Sequence, residues 1–363
     1  MFRLVKREMC LIFGDSGAML LLIFAMLIYA TIYSIAYGAE VVECVPIAVV
    51  NEDNTSTSRT FVNGLRAGAN TKVSYEVQSV AEGRELFYNR DVYAIVVIPD
   101  GFERALYGAE GATISLILDG SHLLLYRAVL EQAMAELLAD AGGGAVSLSS
   151  EVLYNRSLGY GSFVMPSIVV LLVQQTLLIG VGMVAIRRRK HSVLIGRRTW
   201  FYGIWQVLSI TLTHIVIYAV SLTIVLVVLW PAFGFPFEGR IWDIALLMLL
   251  YIVATSALAQ TVSYLFKRRE APILTLLWSS VPILLLAGVS YPKEAFPAWL
   301  YDVGRLFPSS SAVEGFISLN TMGASLQNIK SEIAALVFLA FLYTFIAIIL
   351  ENLGCNSKNS ASG

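Results

Sequence analysis

The chain has 363 residues, of which 57% are hydrophobic and only 14% are charged, and its mean hydropathy of +0.71 excludes an ordinary soluble protein. The formal net charge of −1 carries no signal of its own, and no nucleic-acid partner is expected. The three cysteines, Cys10, Cys44 and Cys355, do not make a disulfide framework.

The first 37 residues predict two helices. Residues 1–17 contain an amphipathic helix suited to a membrane interface, with Phe2, Val5, Met9 and Ile12 near one face. Residues 18–37 are apolar and long enough to cross a bilayer, which takes about 20 residues. The alternative for this segment is a cleaved signal peptide, because Ala36-Tyr37-Gly38 before Ala39 fits a small-x-small cleavage site.

Residues 38–160 are polar, and strand-like runs alternate in them with helix-like runs. The strand-like runs are 45–50, 72–77, 92–98 and 113–118. The helix-like runs are one holding Phe61, Val62 and Leu65, then 80–88, 102–106, 126–141 and 147–158. Ser56 is the predicted cap of the first of these helices, and Asp100 is the predicted cap of the helix 102–106. This alternation predicts a small α/β sheet with its own core. The triplet Gly142-Gly143-Gly144 is interpreted as either a hinge or a simple loop.

Five further apolar segments follow, at about 163–186, 204–229, 241–265, 272–290 and 332–350. Helix is the expected conformation because lipid-exposed backbone must satisfy its own hydrogen bonds. The intervening segment 291–319 is too polar and proline-rich to span, and its aromatic residues favour the interface. It predicts a re-entrant or surface-lying segment over the outer mouth, with an ordinary outer loop as the alternative. The predicted fold is a polytopic α-helical membrane protein with six transmembrane helices and an inserted α/β extracytoplasmic domain between helices 1 and 2.

Basic residues set the predicted orientation. Arg and Lys cluster before the first span, in the loop after the second and in the loop after the fourth, at Lys267, Arg268 and Arg269. The opposite short loop, about 230–240, has only Arg240, together with Glu238. Because short basic loops stay in the cytoplasm, the sequence predicts a multi-pass protein of the cell (inner) membrane. Both termini, including the tail 351–363, are then cytoplasmic and the insert is outside.

The motifs of an enzyme are missing from the sequence. There is no GxxxxGK[ST] phosphate loop, no HExxH pair and no GxSxG nucleophile elbow, and His122, His191 and His214 lie in separate segments. No catalytic, cofactor-binding or metal-binding residue is therefore predicted. Polar residues of the insert are interpreted as turn formers, caps and solvated pairs, namely Asp53, Arg59, Asp100, Glu103, Arg104 and Asp119.

Four stretches in a fixed order resemble a known family. They are VPIAVVNEDNTSTSR (45–59), VYAIVVIPDGFERAL (92–106), ISLILDGSH (114–122) and LLAGVSYPKEAFPAWLYDVGRLFPSSSAVEGF (285–316). Around a six-span map this order resembles ABC-2-type exporter permeases with a large extracytoplasmic domain after the first span. The resemblance covers nearly the whole chain.

The resemblance implies a separate cytoplasmic ABC ATPase, which would hold ATP-Mg, and a second permease chain in a homo- or heterodimer. It also implies that the N-terminal helix and the loop between spans two and three press on the ATPase. The candidate coupling residues are Arg3, Lys6, Arg7, Arg187, Arg188, Arg189, Lys190, Arg197 and Arg198. The loop is purely basic, where family members often have Glu and Gly-Thr. The alternative is that these cations set topology and touch anionic membrane lipid.

Polar side chains within the spans are candidates for a transport path between protomers. They are Gln174, Gln175, Gln206, His214 and Gln260. The alternative role for each is hydrogen bonding between helices. The spans offer few ionisable groups of the kind that ion-coupled carriers use, so the energy is expected to come from a partner.

The sequence therefore predicts the permease subunit of an ATP-driven exporter of an apolar or amphipathic substrate. The outer domain is expected either to shape the exit or to dock a periplasmic adaptor. The alternative function is a membrane receptor or scaffold whose outer domain binds a ligand or envelope partner without transport.

Overall fold

A computed structural model describes residues 1–37, 42–108, 112–118, 123–140, 159–192, 200–289 and 296–359. These residues divide into two compact units, one within Met1–Gly38 and Tyr154–Gly363 and the other within Ala39–Leu153. We call them the helical unit and the α/β unit and describe each by itself.

The helical unit contains the apolar helices. Its elements are α1 (Phe2–Phe13), α2 (Ser16–Met19), a π-helical turn (Leu20–Phe24), α3 (Ala25–Tyr37), α8 (Tyr160–Ser192), α9 (Trp200–Thr223), a second π-helical turn (Ile224–Leu229), α10 (Trp230–Ala232), α11 (Ile241–Ser263), α12 (Ala271–Leu286), α13 (Ala298–Gly304), α14 (Pro308–Asn320) and α15 (Lys330–Asn359). Continuous helices run through Ser16–Tyr37 and Phe201–Ala232.

Five of the described helices are long and apolar enough to cross a membrane: Ser16–Tyr37, Tyr160–Arg189, Phe201–Ala232, Ile241–Ser263 and Lys330–Leu353. The predicted span 272–290 corresponds to α12, which is apolar but has only 16 residues. The last helix is longer than predicted, because α15 continues to Asn359 and takes in most of the expected tail. Glu351 is therefore a helix residue.

The N-terminal helices are separated at Gly14. Asp15 caps the second helix, since its Oδ1 accepts from the backbone N–H of Gly17 at 3.1 Å and of Ala18 at 3.2 Å. The same oxygen lies 2.5 Å from Arg269 Nη2. This pair ties the start of the first apolar helix to the residues just before α12.

The centre of the helical unit is formed by α8, α11 and α14. The Tyr251 hydroxyl of α11 donates to the Val170 carbonyl of α8 at 2.7 Å, and both residues are buried. Most of α14 is buried too. Its Ser309 N–H donates to Gln174 Oε1 near the middle of α8 at 3.0 Å. At its other end the Asn320 amide donates to the Pro236 carbonyl at 3.1 Å. Helix α14 thus starts at mid-depth in the unit.

The α/β unit is a four-stranded sheet covered by helices. Its strands are β1 (Val45–Asn51), β2 (Thr71–Val77), β3 (Ala94–Ile98) and β4 (Ser115–Leu118), and its helices are α4 (Ser56–Ala67), α5 (Val80–Tyr88), α6 (Phe102–Tyr107) and α7 (Leu123–Asp140). The strand order is β2-β1-β3-β4, with β1 parallel to both neighbours and β4 antiparallel to β3. The two central strands are buried on both faces, as their aliphatic sequences require.

Two predicted helix caps are wrong. The side chain that caps α4 is Thr55, whose Oγ1 accepts from the Ser58 N–H at 3.2 Å, and Ser56 is the first helical residue. Helix α6 follows Gly101 at φ +79°, with no side-chain cap from Asp100. The glycine triplet 142–144, the helix-like run 147–158 and Asp119 lie outside the described residues.

Candidate functional site: a polar network at the basic end of the helical unit

The basic end is the end of the helical unit where α8 ends, α9 begins and α15 ends. Helix α1 lies there and packs against α9. Its buried residues are Glu8, Leu11 and Ile12, whereas Phe2 is 82% exposed. The buried face therefore shares Ile12 with the predicted stripe of Phe2, Val5, Met9 and Ile12, and it also includes the Glu8 carboxylate. That carboxylate needs a charged or hydrogen-bonding partner.

Arg188 supplies this partner. Its Nε lies 3.7 Å from Glu8 Oε2, and the side chains are 7% and 2% exposed. Removing one partner from a buried pair leaves the other charge uncompensated. The pair therefore fixes α1 against the end of α8.

A second set of contacts links α1 to the other helices. Arg7 Nη1 donates to the Tyr202 hydroxyl at 2.9 Å and its Nη2 donates to Gln206 Oε1 at 3.2 Å. Gln206 Nε2 in turn donates to Glu351 Oε1 at 2.8 Å, and the Tyr264 hydroxyl donates to Glu351 Oε2. We call Arg7, Gln206, Glu351 and Tyr264 the basic-end network. It joins α1, α9, α15 and the end of α11.

Arg189 packs onto this network from α8. Its guanidinium lies 4.4 Å from the centre of the Tyr264 ring, and its Nη2 donates to the Ser263 carbonyl at 2.5 Å. Arginine over an aromatic face is an attractive arrangement. Arg187 does not take part in this contact; its Nη1 donates to the carbonyl of Gly14, between α1 and α2, at 2.6 Å.

The protonation state of Tyr264 follows from its surroundings. Burial, reinforced by the neighbouring Glu351 carboxylate, raises the pKa of the Tyr264 hydroxyl well above its usual value. Tyr264 therefore stays protonated at neutral pH and donates to Glu351. A neutral donor satisfies the carboxylate without adding charge to a buried site.

These contacts separate the candidate coupling residues into exposed ones and ones bound within the helical unit. Arg3 and Lys6 are exposed on α1. Arg7, Arg187, Arg188 and Arg189 are bound to other parts of the helical unit. The side chain of Lys190, and both Arg197 and Arg198, lie outside the described residues. Arg3 and Lys6 thus remain the described candidates with side chains facing out.

The candidate path residues lie at three separate places. Gln206 belongs to the basic-end network. Gln174, at the centre of the unit, accepts from Ser309 N–H, and Gln175 next to it is half-buried. A third group lies between α9 and α11.

In that third group, His214 Nδ1 lies 2.8 Å from Ser256 Oγ, and Gln260 Nε2 donates to Thr211 Oγ1 at 3.0 Å. All four residues are buried. Hydrogen bonds across two packed helices of this kind stabilise their association. Their role in a transport path stays a prediction.

Sequence reasoning missed Glu8, Glu351 and Tyr264. The available signal was position. Glu8 lies in the basic N-terminal flank, Tyr264 lies where the fourth apolar segment meets its basic flank, and Glu351 directly follows the last apolar segment. Among the described residues, no group of three or more His, Cys, Asp or Glu side chains could hold a metal ion. The Asp53 carboxylate of the α/β unit accepts from the Glu103 N–H at 3.4 Å and from the Thr55 hydroxyl, which is a structural role.

The long apolar helices and the separate α/β unit inserted after the first of them define a multi-pass membrane protein. The chain belongs to the ABC-2 family of transporter proteins, whose family model matches residues 17–349. It is thus a transporter permease subunit, as the four motifs had predicted.

Two relatives extend this assignment. The "Probable multidrug ABC transporter permease YbhR" of Escherichia coli strain K12 is 24% identical over 321 residues, covering 85% of this chain and 86% of the relative. The protein of the same description from Escherichia coli O157:H7 matches to the same extent. No solved structure matches the chain significantly.

Proposed function

We propose that this chain is the membrane-spanning subunit of an ATP-driven exporter that moves an apolar or amphipathic substrate out of the cytoplasm or inner leaflet. A separate cytoplasmic ABC ATPase binds ATP-Mg, and a second permease chain completes the membrane part. The multidrug description of the two relatives favours a broad range of amphipathic substrates.

The observation that carries the proposal is the basic-end network. If an ATPase acts on α1, its force reaches the transmembrane helices only through a rigid connection from α1 to those helices. Arg7, Gln206 and Glu351 supply this connection through hydrogen bonds of 2.8–3.2 Å, and Glu8–Arg188 adds a buried ion pair. Arg3 and Lys6 are exposed, so the face of α1 that carries them is open for the ATPase.

The proposed topology has six spans. Helix α12 is the fifth, because its mainly apolar residues begin beside the basic end at Ala271 and run away from it. The basic end faces the cytoplasm, and the α/β unit is extracytoplasmic, where it shapes the exit or receives a periplasmic adaptor.

The test is copurification and stimulated hydrolysis. The tagged full-length chain is expected to bring down an ABC ATPase, and the complex in nanodiscs is expected to hydrolyse ATP. Charge reversal of the outer face of α1, by Arg3→Glu with Lys6→Glu, should weaken ATPase binding about tenfold or more. The control is Arg240→Glu at the opposite end of the helical unit, which should leave binding unchanged.

A complex that forms equally well with both reversed cations would contradict the assigned docking face. If the chain never binds an ATPase, the proposal that it is an exporter subunit is contradicted.

Deleting residues 45–140 should leave membrane insertion intact and abolish export. Undiminished export after that deletion would exclude an essential role for the α/β unit.

A further inference from the structure

Each of the three helices at the centre of the helical unit carries a buried polar atom without a hydrogen-bond partner among the described residues. These atoms are Nε2 of Gln174 in α8, Oγ1 of Thr255 in α11 and Oγ of Ser309 in α14. All three residues are fully buried. Buried polar groups in folded proteins are paired, either with other protein groups or with ordered water. The three atoms therefore point to a ligand at the centre of the unit.

Gln174 and Ser309 are direct neighbours. Gln174 Oε1 accepts from the Ser309 backbone N–H at 3.0 Å. This bond fixes the orientation of the amide, because the reverse orientation would set two donors against each other. The amide nitrogen and the Ser309 hydroxyl are thus both left over at the first turn of α14. The backbone N–H groups of a first helical turn carry partial positive charge, which favours a ligand atom with a lone pair.

Thr255 is placed at the same level by the register of α8 and α11. The two helices run in the same direction, since both end at the basic end. Their register is set by the Tyr251 hydroxyl, which donates to the Val170 carbonyl at 2.7 Å. Thr255 and Gln174 each lie four residues further along, which is about one helical turn. Residues four apart share a helix face, and Thr255 Oγ1 lies near the Tyr251 hydroxyl without a hydrogen bond.

The chemistry of the three groups favours water. All of them are neutral, and an ion removed from bulk water needs a compensating charge, whereas a water molecule does not. A water oxygen accepts from the Gln174 amide, and its two protons are donated to the hydroxyl oxygens of Thr255 and Ser309. About three hydrogen bonds are typical of a buried water. Polar groups that face one another beyond direct hydrogen-bond distance are commonly bridged in this way.

We propose that a single water molecule binds between α8, α11 and α14, held by Gln174, Thr255 and Ser309. It joins the start of α14 to the two long helices beside it. The first turn of α14 is then held both directly, through the Ser309 N–H, and through the water. This site goes beyond the proposed export function and does not depend on it.

Thermal unfolding of the purified full-length chain in nanodiscs tests the site through the sign of the change. With water bound, Ser309→Ala removes one of its hydrogen bonds and should lower the unfolding temperature by about 2 °C. Thr255→Val should have a similar effect for the same reason. The double variant should lose less than the sum of the two single losses, because both substitutions remove partners of one water molecule.

The matched control is Ser209→Ala in α9. The Ser209 hydroxyl is also buried without a partner among the described residues, but it lies on a helix outside the three that form the site. Removing an unpaired buried hydroxyl removes its desolvation cost. This variant should therefore unfold at the same temperature as the unaltered chain or at a higher one.

If Ser309→Ala unfolds at the same or a higher temperature, as the control does, the inference is overturned. Additive losses in the double variant would show that the two hydroxyls do not share a ligand. A density map that resolves ordered water should show a peak within hydrogen-bond distance of the Gln174 amide nitrogen, and an empty position there would exclude the water. Stabilisation by chloride that Ser309→Ala abolishes would identify an anion site instead.

Discussion

At the scale of single residues, Glu351 has the largest predicted effect in the basic-end network. Its two oxygens accept from Gln206 and Tyr264, so its removal takes away the acceptor of two hydrogen bonds. We expect Glu351→Ala to lower the free energy of unfolding by about 1–3 kcal/mol. Glu351→Gln should lower it less, because one acceptor oxygen remains. Thermal unfolding of the purified chain measures both.

The control for this series is Glu238→Ala, which removes an exposed carboxylate at the other end of the helical unit. It should change stability by no more than about 0.5 kcal/mol. If Glu351→Ala unfolds at the same temperature as this control, the network does not stabilise the helical unit.

Tyr264 gives the network a dependence on alkaline pH. Its pKa is raised in the folded chain, chiefly by burial and also by Glu351, so folding favours the protonated hydroxyl. The stabilisation is complete below the unfolded pKa of about 10 and is lost as the pH rises above it. We therefore expect stability to fall more steeply between about pH 9 and about pH 11 in the native chain than in Tyr264→Phe. Parallel slopes for the two proteins would contradict this assignment.

At the scale of elements, the first apolar helix depends on a glycine in α8. A Cβ at Gly180 would lie 2.4 Å from Leu22 Cγ, within the π-helical turn. Gly180→Ala should therefore destabilise the unit by about 1–3 kcal/mol, because the tightly packed neighbour must move. Leu22→Ala alone should also destabilise the unit, because Leu22 is fully buried. The double variant should lose less than the sum of the two single losses, since the truncated side chain leaves the space that the new methyl group needs. Additive losses in the double variant would show that the two sites are not in contact.

The elements themselves were largely predictable from periodicity. The β-branched run 45–50 became β1, and the apolar segments 163–186 and 241–265 lie within or closely match α8 and α11. Apolar runs of these lengths have few alternatives. Helix ends were less predictable, because α15 continues through polar residues to Asn359. Glu351, the first residue beyond the predicted span, bonds to Gln206 of α9 and to Tyr264 at the end of α11, and no local pattern contains these contacts.

The site was less predictable than the fold, for a physical reason. Arg3 and Arg7 look alike in sequence, yet Arg3 is exposed and Arg7 bonds to Tyr202 and Gln206, about 200 positions away. The hydrophobic stripe predicted for α1 also omitted Glu8, because pairing with Arg188 allows a carboxylate in a buried position. Both cases are decided by contacts with distant segments, through hydrogen bonds to neutral side chains for Arg7 and through an opposite charge for Glu8.

At the scale of the whole molecule, two native cysteines report the proposed topology. Cys10 of α1 and Cys44 just before β1 are both free and exposed. The proposed orientation puts Cys10 in the cytoplasm and Cys44 outside, so the same thiol chemistry can separate the two sides of the membrane. The first apolar helix lies between them in the chain.

In a background with Cys355→Ser, we expect a membrane-impermeant maleimide to label Cys44 in intact spheroplasts and to label Cys10 only after permeabilisation. Cys44→Ser should abolish labelling of intact spheroplasts, and Cys10→Ser should leave it unchanged. A chain cleaved after the first apolar segment would lack Cys10 and show no second labelling event, which would favour the signal-peptide alternative. Labelling of Cys10 in intact spheroplasts would contradict the proposed orientation and indicate the inverted topology. It would remove α1 from reach of a cytoplasmic ATPase, because the basic-end network would then face away from the source of ATP.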